Sequence, residues 1–136
     1  MEIQCELSKI IIDEKRQDQI IVLREKGGER QFPIVIGFLE ASSIKMKLSN
    51  ISPPRPMTHD LLVTTLEAIG AKIEKLVVDK LVNNTFHAKL YVSADGKKEI
   101  AIDARPSDGV ALAVRSGADI FVEEEVLNKA AIFKAE

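Results

Sequence analysis

The apolar pattern of this chain repeats after 66 residues, and that repeat constrains the fold more than any other feature. The matching positions are Leu7, Ile10, Ile11, Ile12, Asp13, Ile34 and Ile36 in the first copy, and Ile73, Leu76, Val77, Val78, Asp79, Ile100 and Ile102 in the second. The order of the predicted elements repeats together with these residues. We therefore predict two similar units, at about 1–50 and 67–116, that superpose within a single domain of residues 1–136.

Alternating apolar residues, separated by glycines, asparagines and prolines, predict the elements of each unit. The predicted strands cover 3–12, 19–26, 30–36, 73–81, 86–93, 100–103 and 120–122, and the predicted helices cover 38–48, 58–69, 106–114 and a last segment from 123. Turns are predicted at 14–18, Gly27-Gly28, Asn83-Asn84 and Asp95-Gly96, and Pro33 indicates an edge strand or a bulge. The predicted fold class is α+β, in which duplicated β-β-β-α units form a mostly antiparallel sheet covered by helices.

Composition excludes several classes of protein. A net charge of −2 argues against an indiscriminate nucleic-acid coat protein, and an aromatic fraction of 4% without tryptophan offers little surface for stacking bases. The single cysteine, Cys5, excludes an internal disulfide and a cysteine-rich zinc site, and its alternation with Ile3 and Leu7 predicts a buried position. No stretch resembles a signal peptide or a membrane span, so we expect a cytoplasmic protein without membrane contact.

The stretch from Arg55 to Leu61 holds one of the two histidines where a loop turns into a helix. Thr58 is the predicted N-cap, and Asp60 falls in the first turn, where a negative charge favours the helix dipole. Helix-start chemistry explains Thr58 and Asp60 completely, whereas it explains Arg55 and His59 less well. Polar loop residues often carry function, so this stretch is a candidate site.

Acidic residues also stand at the other strand-to-helix junctions of the repeat. Glu40 begins the helix of the first unit, and Asp103 and Asp108 flank the helix start of the second. Capping and dipole compensation account for each acid separately. If the two units pack with their helix starts together, we expect Arg105 and Asp108 to share one cleft with His59 and Asp60.

Four segments resemble the bifunctional nuclease domain family, over nearly the whole chain from about Ile3 to Ala130. They are Glu25-Lys26-Gly27-Gly28-Glu29-Arg30, Phe32-Pro33-Ile34-Val35-Ile36-Gly37 with Glu40-Ala41, Arg55-Pro56-Met57-Thr58-His59-Asp60-Leu61, and Asp103-Ala104-Arg105-Pro106-Ser107-Asp108. The resemblance implies a nuclease that hydrolyses phosphodiester bonds in DNA, RNA or both. Two mild departures are Gly109, where the family usually has alanine, and the serines at 42 and 43.

The resemblance and the requirements of phosphodiester hydrolysis suggest roles for these residues. An activated water and charge stabilisation on phosphate are needed, often with Mg²⁺ or Mn²⁺ held on carboxylates. The candidate catalytic residues are His59, Asp60, Asp108 and Glu40, the candidate phosphate-binding residues are Arg55, Arg105 and Ser107, and the candidate metal ligands are Asp103 and Asp108. His59 is the candidate general acid or base because histidine exchanges protons near neutral pH.

Two other classes of function remain open. In a regulatory module, Arg55, Arg105 and His59 would hold an anion without cleaving it. In an interaction domain, the polar motifs would fix helix starts and a subunit interface, with Arg55 buried against Asp103 or Asp108.

A set of apolar residues exceeds what one helix and a loop edge need for a single buried face. The set consists of Phe38, Leu39, Met46 and Met57. It predicts a homo-oligomer, and a dimer is the commonest form among soluble oligomers.

Overall fold

The computed structural model describes residues 1–13, 15, 18–95 and 97–133. The strands are β1 (Glu2–Ile11), β2 (Asp18–Glu25), β3 (Arg30–Gly37), β4 (Ala71–Val82), β5 (Thr85–Ala94), β6 (Ile100–Ala104), β7 (Asp119–Glu123) and β8 (Ile132–Phe133). The helices are α1 (Phe38–Leu48), α2 (Thr58–Ala68), α3 (Pro106–Ser116) and α4 (Glu124–Ala130). The predicted turn at 14–18 lies partly outside the described residues, and so does Gly96 of the predicted turn at 95–96.

All eight strands form one sheet in the order β6-β5-β4-β7-β1-β2-β3-β8. Every neighbouring pair is antiparallel except β4 and β7, which are parallel. This arrangement confirms the predicted α+β class with a mostly antiparallel sheet.

Two three-stranded meanders, β1-β2-β3 and β4-β5-β6, lie on either side of β7, and each continues into a helix. The β1–β2 ladder has a bulge between Leu7 and Lys9, and the β4–β5 ladder has one between Ile73 and Lys75. These bulges stand at the same 66-residue offset as the sequence repeat. The superposition of the two units stays a prediction.

Glycines and asparagines that predict turns and helix ends lie where the strands and helices of the structure end. Gly27, Gly70 and Gly117 have positive φ angles, as turn and helix-end glycines require. Asn83 and Asn84 both have positive φ, the conformation of a tight hairpin turn of the primed type.

Pro33 lies on the outer edge of the sheet, as its missing N–H requires. Within the described residues, β3 has an outer partner only at Arg30 and Gln31, which pair with β8. The edge position of Pro33 is therefore confirmed. The two-residue strand β8 was not predicted, because so short a segment has no readable period.

The predicted N-cap at Thr58 is wrong by one residue. Thr58 is the first residue of α2, and Met57 is the N-cap. The carboxylate of Asp60 accepts the backbone N–H of Met57 at 3.0 Å, so an acid in the first turn satisfies a donor at the helix start.

The sheet curves strongly around its core. The rings of Phe32 in β3 and Phe86 in β5 stack with centroids 5.3 Å apart, although four strands lie between β3 and β5 in the sheet. Cys5 is buried in this core, as predicted, and burial raises the pKa of its thiol to about 11. A thiol with so high a pKa is a poor nucleophile at neutral pH.

Gly109 sets the close approach of α3 to the sheet. A Cβ added at Gly109 would overlap the fully buried side chain of Leu76 in β4. Gly109, one of the two departures from the family pattern, therefore leaves room for the large side chain of Leu76.

The helix α2 packs less deeply than α3, because it has no fully buried residue. None of the helices in the described part of the chain has the length and apolar character needed to cross a bilayer.

Candidate functional site

Three helices begin around one cleft of about 300 Å³. The chain enters α1 directly from β3, α2 from the proline-rich loop, and α3 from β6 through Arg105. Pro106 lies in the first turn of α3. Backbone N–H groups there have no acceptor within the helix, so proline, which has no N–H, fits this position. The cleft is lined by Leu39, Glu40, Ser42, Ser43, Met57, Thr58, His59, Arg105 and Asp108. The predicted residues Glu40, His59, Arg105 and Asp108 therefore share one cleft.

A chain of hydrogen bonds crosses this cleft from α1 to α3. Nδ1 of His59 lies 2.8 Å from the hydroxyl oxygen of Ser43, and its Nε2 lies 3.0 Å from Oδ1 of Asp108. The other carboxylate oxygen of Asp108 accepts hydrogen bonds from Arg105 Nε at 2.9 Å and pairs with its Nη2 at 2.7 Å. Residues from three helices are thus joined in one row.

The charge state of Asp108 follows from these contacts. Burial acts to raise the pKa of its carboxyl, but the hydrogen bonds from His59 and Arg105 outweigh burial and leave the pKa below its ordinary value. Asp108 is therefore ionised at neutral pH and accepts the proton of His59 Nε2. In neutral His59, Nδ1 then accepts the hydroxyl proton of Ser43. Both ring nitrogens of His59 are engaged.

Two carboxylates among the described residues line the cleft, and Glu40 has fewer hydrogen bonds and ion pairs than Asp108. Its nearest cation is Arg105, whose Nη1 lies 3.7 Å from Oε2 of Glu40, and its side chain is 17% exposed. The carboxylate folds back over Gly37, where an added Cβ would lie 2.6 Å from Oε2. The absence of a side chain at Gly37 therefore gives Glu40 its place at the start of α1.

Asp60 does not line this cleft, in which the sequence led us to expect it, but lines another cleft beside the proline-rich loop. Its Oδ1 accepts a hydrogen bond from Nε of Arg115 at 2.7 Å, and this bond lowers the pKa of the Asp60 carboxyl. Arg115 is only 6% exposed and also donates to the backbone oxygens of Ser43 at 3.1 Å and Ala111 at 3.1 Å. One guanidinium therefore ties α1, α2 and α3 together through Ser43, Asp60 and Ala111.

The remaining predicted site residues lie apart from this cleft. Arg55 is exposed on the loop before α2 and is not among the cleft residues, and Ser107 is buried at the start of α3 beside a neighbouring cleft. Asp103 is 81% exposed on β6, 3.8 Å from the amine of Lys89. The partner of Asp108 is Arg105, not Arg55, so the pairing expected of a pure interaction domain is not found among the described contacts.

Two residues of the site were missed from the sequence. Ser43 follows Glu40 by about one helical turn, so the two side chains share one face of α1. This spacing could have indicated that Ser43 belongs to the same site as Glu40. Arg115 stands in the last turn of α3, where a basic residue already has an explanation as compensation of the helix dipole.

The side chains in the described residues do not fit a Mg²⁺ or Mn²⁺ site of three or more ligands. No group of three His, Cys, Asp or Glu side chains is found in that part of the chain in an arrangement that could hold a metal ion. Both oxygens of Asp108 already accept hydrogen bonds, and Asp103 is directed to Lys89 instead of Asp108.

The lowered carboxyl pKa values predict a loss of stability in acid. A group whose pKa is lower in the folded state stabilises the fold above its unfolded pKa and loses that contribution as protons bind. With an unfolded aspartate pKa of about 3.9, the free energy of unfolding should fall from about pH 5 downwards. Asp60→Asn removes one such group, so its stability should depend less steeply on pH between 5 and 3 in urea titrations. An unchanged slope would contradict the assigned ion pair.

Comparison with known proteins agrees with the motifs. The family model of the bifunctional nuclease domain matches residues 21–135. An uncharacterized protein of Mycobacterium tuberculosis is 37% identical over 123 residues, which cover 90% of this chain and 73% of that protein.

Plant relatives are more distant. Bifunctional nuclease 1 of Oryza sativa is 27% identical over 111 residues, and Bifunctional nuclease 2 of Arabidopsis thaliana is 25% identical over 107 residues. The matches cover 79% and 77% of this chain but only 33% and 32% of the plant proteins. The family match over most of the chain, the motifs at its helix starts and the identity to the mycobacterial protein lead to one conclusion: the chain belongs to the bifunctional nuclease domain family.

Proposed function

We propose that this protein hydrolyses phosphodiester bonds in DNA or RNA at the cleft between the three helix starts. The observation that carries the proposal is the hydrogen-bonded row Ser43–His59–Asp108–Arg105, which ends on an exposed guanidinium beside Glu40. Family membership and the nuclease names of the plant relatives support the same reaction class.

Arg105 is the proposed phosphate-binding residue. A guanidinium can give two parallel hydrogen bonds to phosphate oxygens and stabilises the charge that develops on them. Asp108 holds Arg105 through one oxygen and is itself held by His59 through the other, so the cation is positioned before the substrate arrives. The proposed role of His59 in this arrangement is to orient Asp108, and that of Ser43 is to orient His59.

Glu40 is the proposed general base. Both nitrogens of His59 are engaged, whereas the carboxylate of Glu40 lines the cleft within reach of a group bound to Arg105. A water that attacks the phosphorus would give its proton to Glu40. The phosphorus–oxygen bond then breaks, the leaving oxygen takes a proton from water in the open cleft, and Glu40 gives its proton to the hydroxide so formed.

A cleavage assay on Glu40→Gln tests this assignment. The variant keeps the shape of the side chain but cannot accept a proton, so cleavage should fall by about 10²-fold. The assay should use single-stranded and double-stranded DNA and RNA with protein freed of host nucleases, and Glu67→Gln on α2 is a matched control outside the cleft. Wild-type cleavage by the Glu40→Gln protein would remove Glu40 from the mechanism.

The same assay separates the remaining alternatives. Arms with Mn²⁺, Mg²⁺ and a chelator test the metal dependence that the family resemblance implies. If the protein binds phosphate at Arg105 and cleaves no substrate in any arm, it is an anion-binding regulatory module. The cytoplasmic location stays a prediction.

We also propose that the protein is a homodimer. Leu61 and Leu62 of α2 and Ile69 just after it are 59%, 43% and 68% exposed, and α2 has no buried residue. Of the predicted set, Leu39 and Met57 line the substrate cleft instead. Exposed apolar groups in such number are typical of interaction surfaces. Light scattering at micromolar concentration should give twice the mass of one chain, and Leu61→Lys should shift the mass towards one chain if α2 forms the interface. A single-chain mass for the wild type would refute the dimer.

A further inference from the structure

A second cleft adjoins the one that holds His59 and Asp108. Its volume is about 320 Å³, and it lies between the outer edge of β3, the turn from β4 to β5, and the start of α3. Glu40 and Arg105 line both clefts. The two clefts therefore meet at the contact between Glu40 and Arg105.

The contact at this junction is weak. The 3.7 Å between Arg105 Nη1 and Glu40 Oε2 is longer than an ordinary hydrogen bond, and the Arg105 side chain is 67% exposed. An exposed ion pair of this kind contributes little to stability. An anion bound to Arg105 can thus displace Glu40 from this contact, and a ligand centred on the anion can extend into both clefts.

The walls of the two clefts are chemically alike. Each combines apolar surface with hydroxyl groups. The residues concerned are Leu39, Met57, Ser42 and Thr58 in the first cleft, and Phe86, Pro106, Thr85 and Ser107 in the second. In the second cleft, the edge of β3 beyond Gln31 has no outer strand among the described residues, so its backbone groups are available to a ligand. Apolar walls with a few polar groups suit a base and its sugar.

We propose that the two clefts are nucleoside subsites on either side of a phosphate held by Arg105. The ligand is then an internal phosphodiester with a nucleoside on both sides, because a phosphomonoester carries only one organic substituent and fills one cleft. This inference rests on the proposed function of the site and adds the form of the substrate.

Two variants fill one cleft each. Thr85→Trp places a large ring in the second cleft, at an exposed strand position, and Ser42→Phe does so in the first. Val82→Trp is the control for the first variant because Val82 pairs with Thr85 in the same hairpin but lines neither cleft. Lys45→Phe, exposed on α1, is the control for the second. Circular dichroism verifies that all four proteins fold.

Calorimetry with two probes tests the inference. The first probe is a thymidine dinucleotide with a phosphorothioate linkage, which resists cleavage, and the second is thymidine 5′-phosphate. The wild type should bind the dinucleotide at least about tenfold more tightly than the mononucleotide, a difference that a second occupied cleft readily provides. Thr85→Trp and Ser42→Phe should each remove that advantage, while the two controls keep it.

The outcomes separate this inference from the proposed function. Equal affinity for the two probes, or an undiminished advantage in either cleft-filling variant, would overturn the two subsites. If one of these two results is found and the protein still cleaves DNA or RNA, the proposed nuclease activity is supported and only the two subsites are refuted. If the dinucleotide binds with the expected advantage but no nucleic acid is cleaved, the two subsites are supported and the proposed hydrolysis is refuted.

Discussion

Replacing Arg105 with alanine should lower phosphodiester cleavage by about 10³-fold, because it removes the cation assigned to the phosphate. The side chain is 67% exposed, so the fold should lose little stability, on the order of 1 kcal/mol or less. Cleavage rates measured at saturating and limiting substrate, together with urea unfolding of the same preparation, check both parts.

Arg55→Ala is the matched control for this prediction. Arg55 is also an exposed arginine near a helix start, but it does not line the cleft. Arg105→Lys should recover only part of the activity, since an ammonium group lacks the planar fork of a guanidinium. If Arg55→Ala and Arg105→Ala reduce cleavage equally, the loss comes from removing positive charge in general and not from removing the guanidinium that lines the cleft.

Replacing Arg115 with alanine should have the opposite pattern, with a large loss of stability. Its guanidinium is buried and bonded to Asp60 and to backbone oxygens of α1 and α3. Asp60 is 32% exposed, so the ion pair is only partly buried, and losing it together with the two bonds to backbone oxygens should cost about 2–3 kcal/mol. For a domain of this size, the melting temperature should fall by roughly 5–10 °C.

A double variant separates the lost ion pair from lost packing. Arg115→Met keeps most of the apolar stem, and adding Asp60→Asn removes the carboxylate that would be left without its partner. The double variant should therefore be destabilised by less than the sum of the two single variants. Strict additivity would show that Arg115 and Asp60 act independently, contrary to the 2.7 Å contact.

The sequence predicted the strands and helices well because their periods and end signals are local. Gly27, Gly70 and Gly117 mark turns and helix ends that the structure reproduces with positive φ angles. The two-residue β8 was missed because its pairing depends on β3, about a hundred residues earlier in the chain.

The candidate site was predictable only in part. His59 and Asp108 were expected together because each stands where a helix starts, and the structure joins them at 3.0 Å. The partner of Asp60 was not predictable, because Arg115 reaches it through the tertiary packing of α2 against α3. Ser43 stood out from the sequence only as a departure from the family pattern and not as a site residue, because a serine inside a helix has no local mark of function.

The cleft draws its groups from distant parts of the chain. Glu40 and Ser43 come from α1, His59 from α2, Asp108 from α3, and Arg105 from the position just before α3. At the 66-residue offset, Arg105 and Asp108 correspond to Leu39 and Ser42, which line the same cleft. If the predicted units 1–50 and 67–116 superpose, unlike residues at matching positions supply part of the cleft from each unit, and His59 comes from the segment between them. The complete set of groups therefore forms only where α1, α2 and α3 pack together.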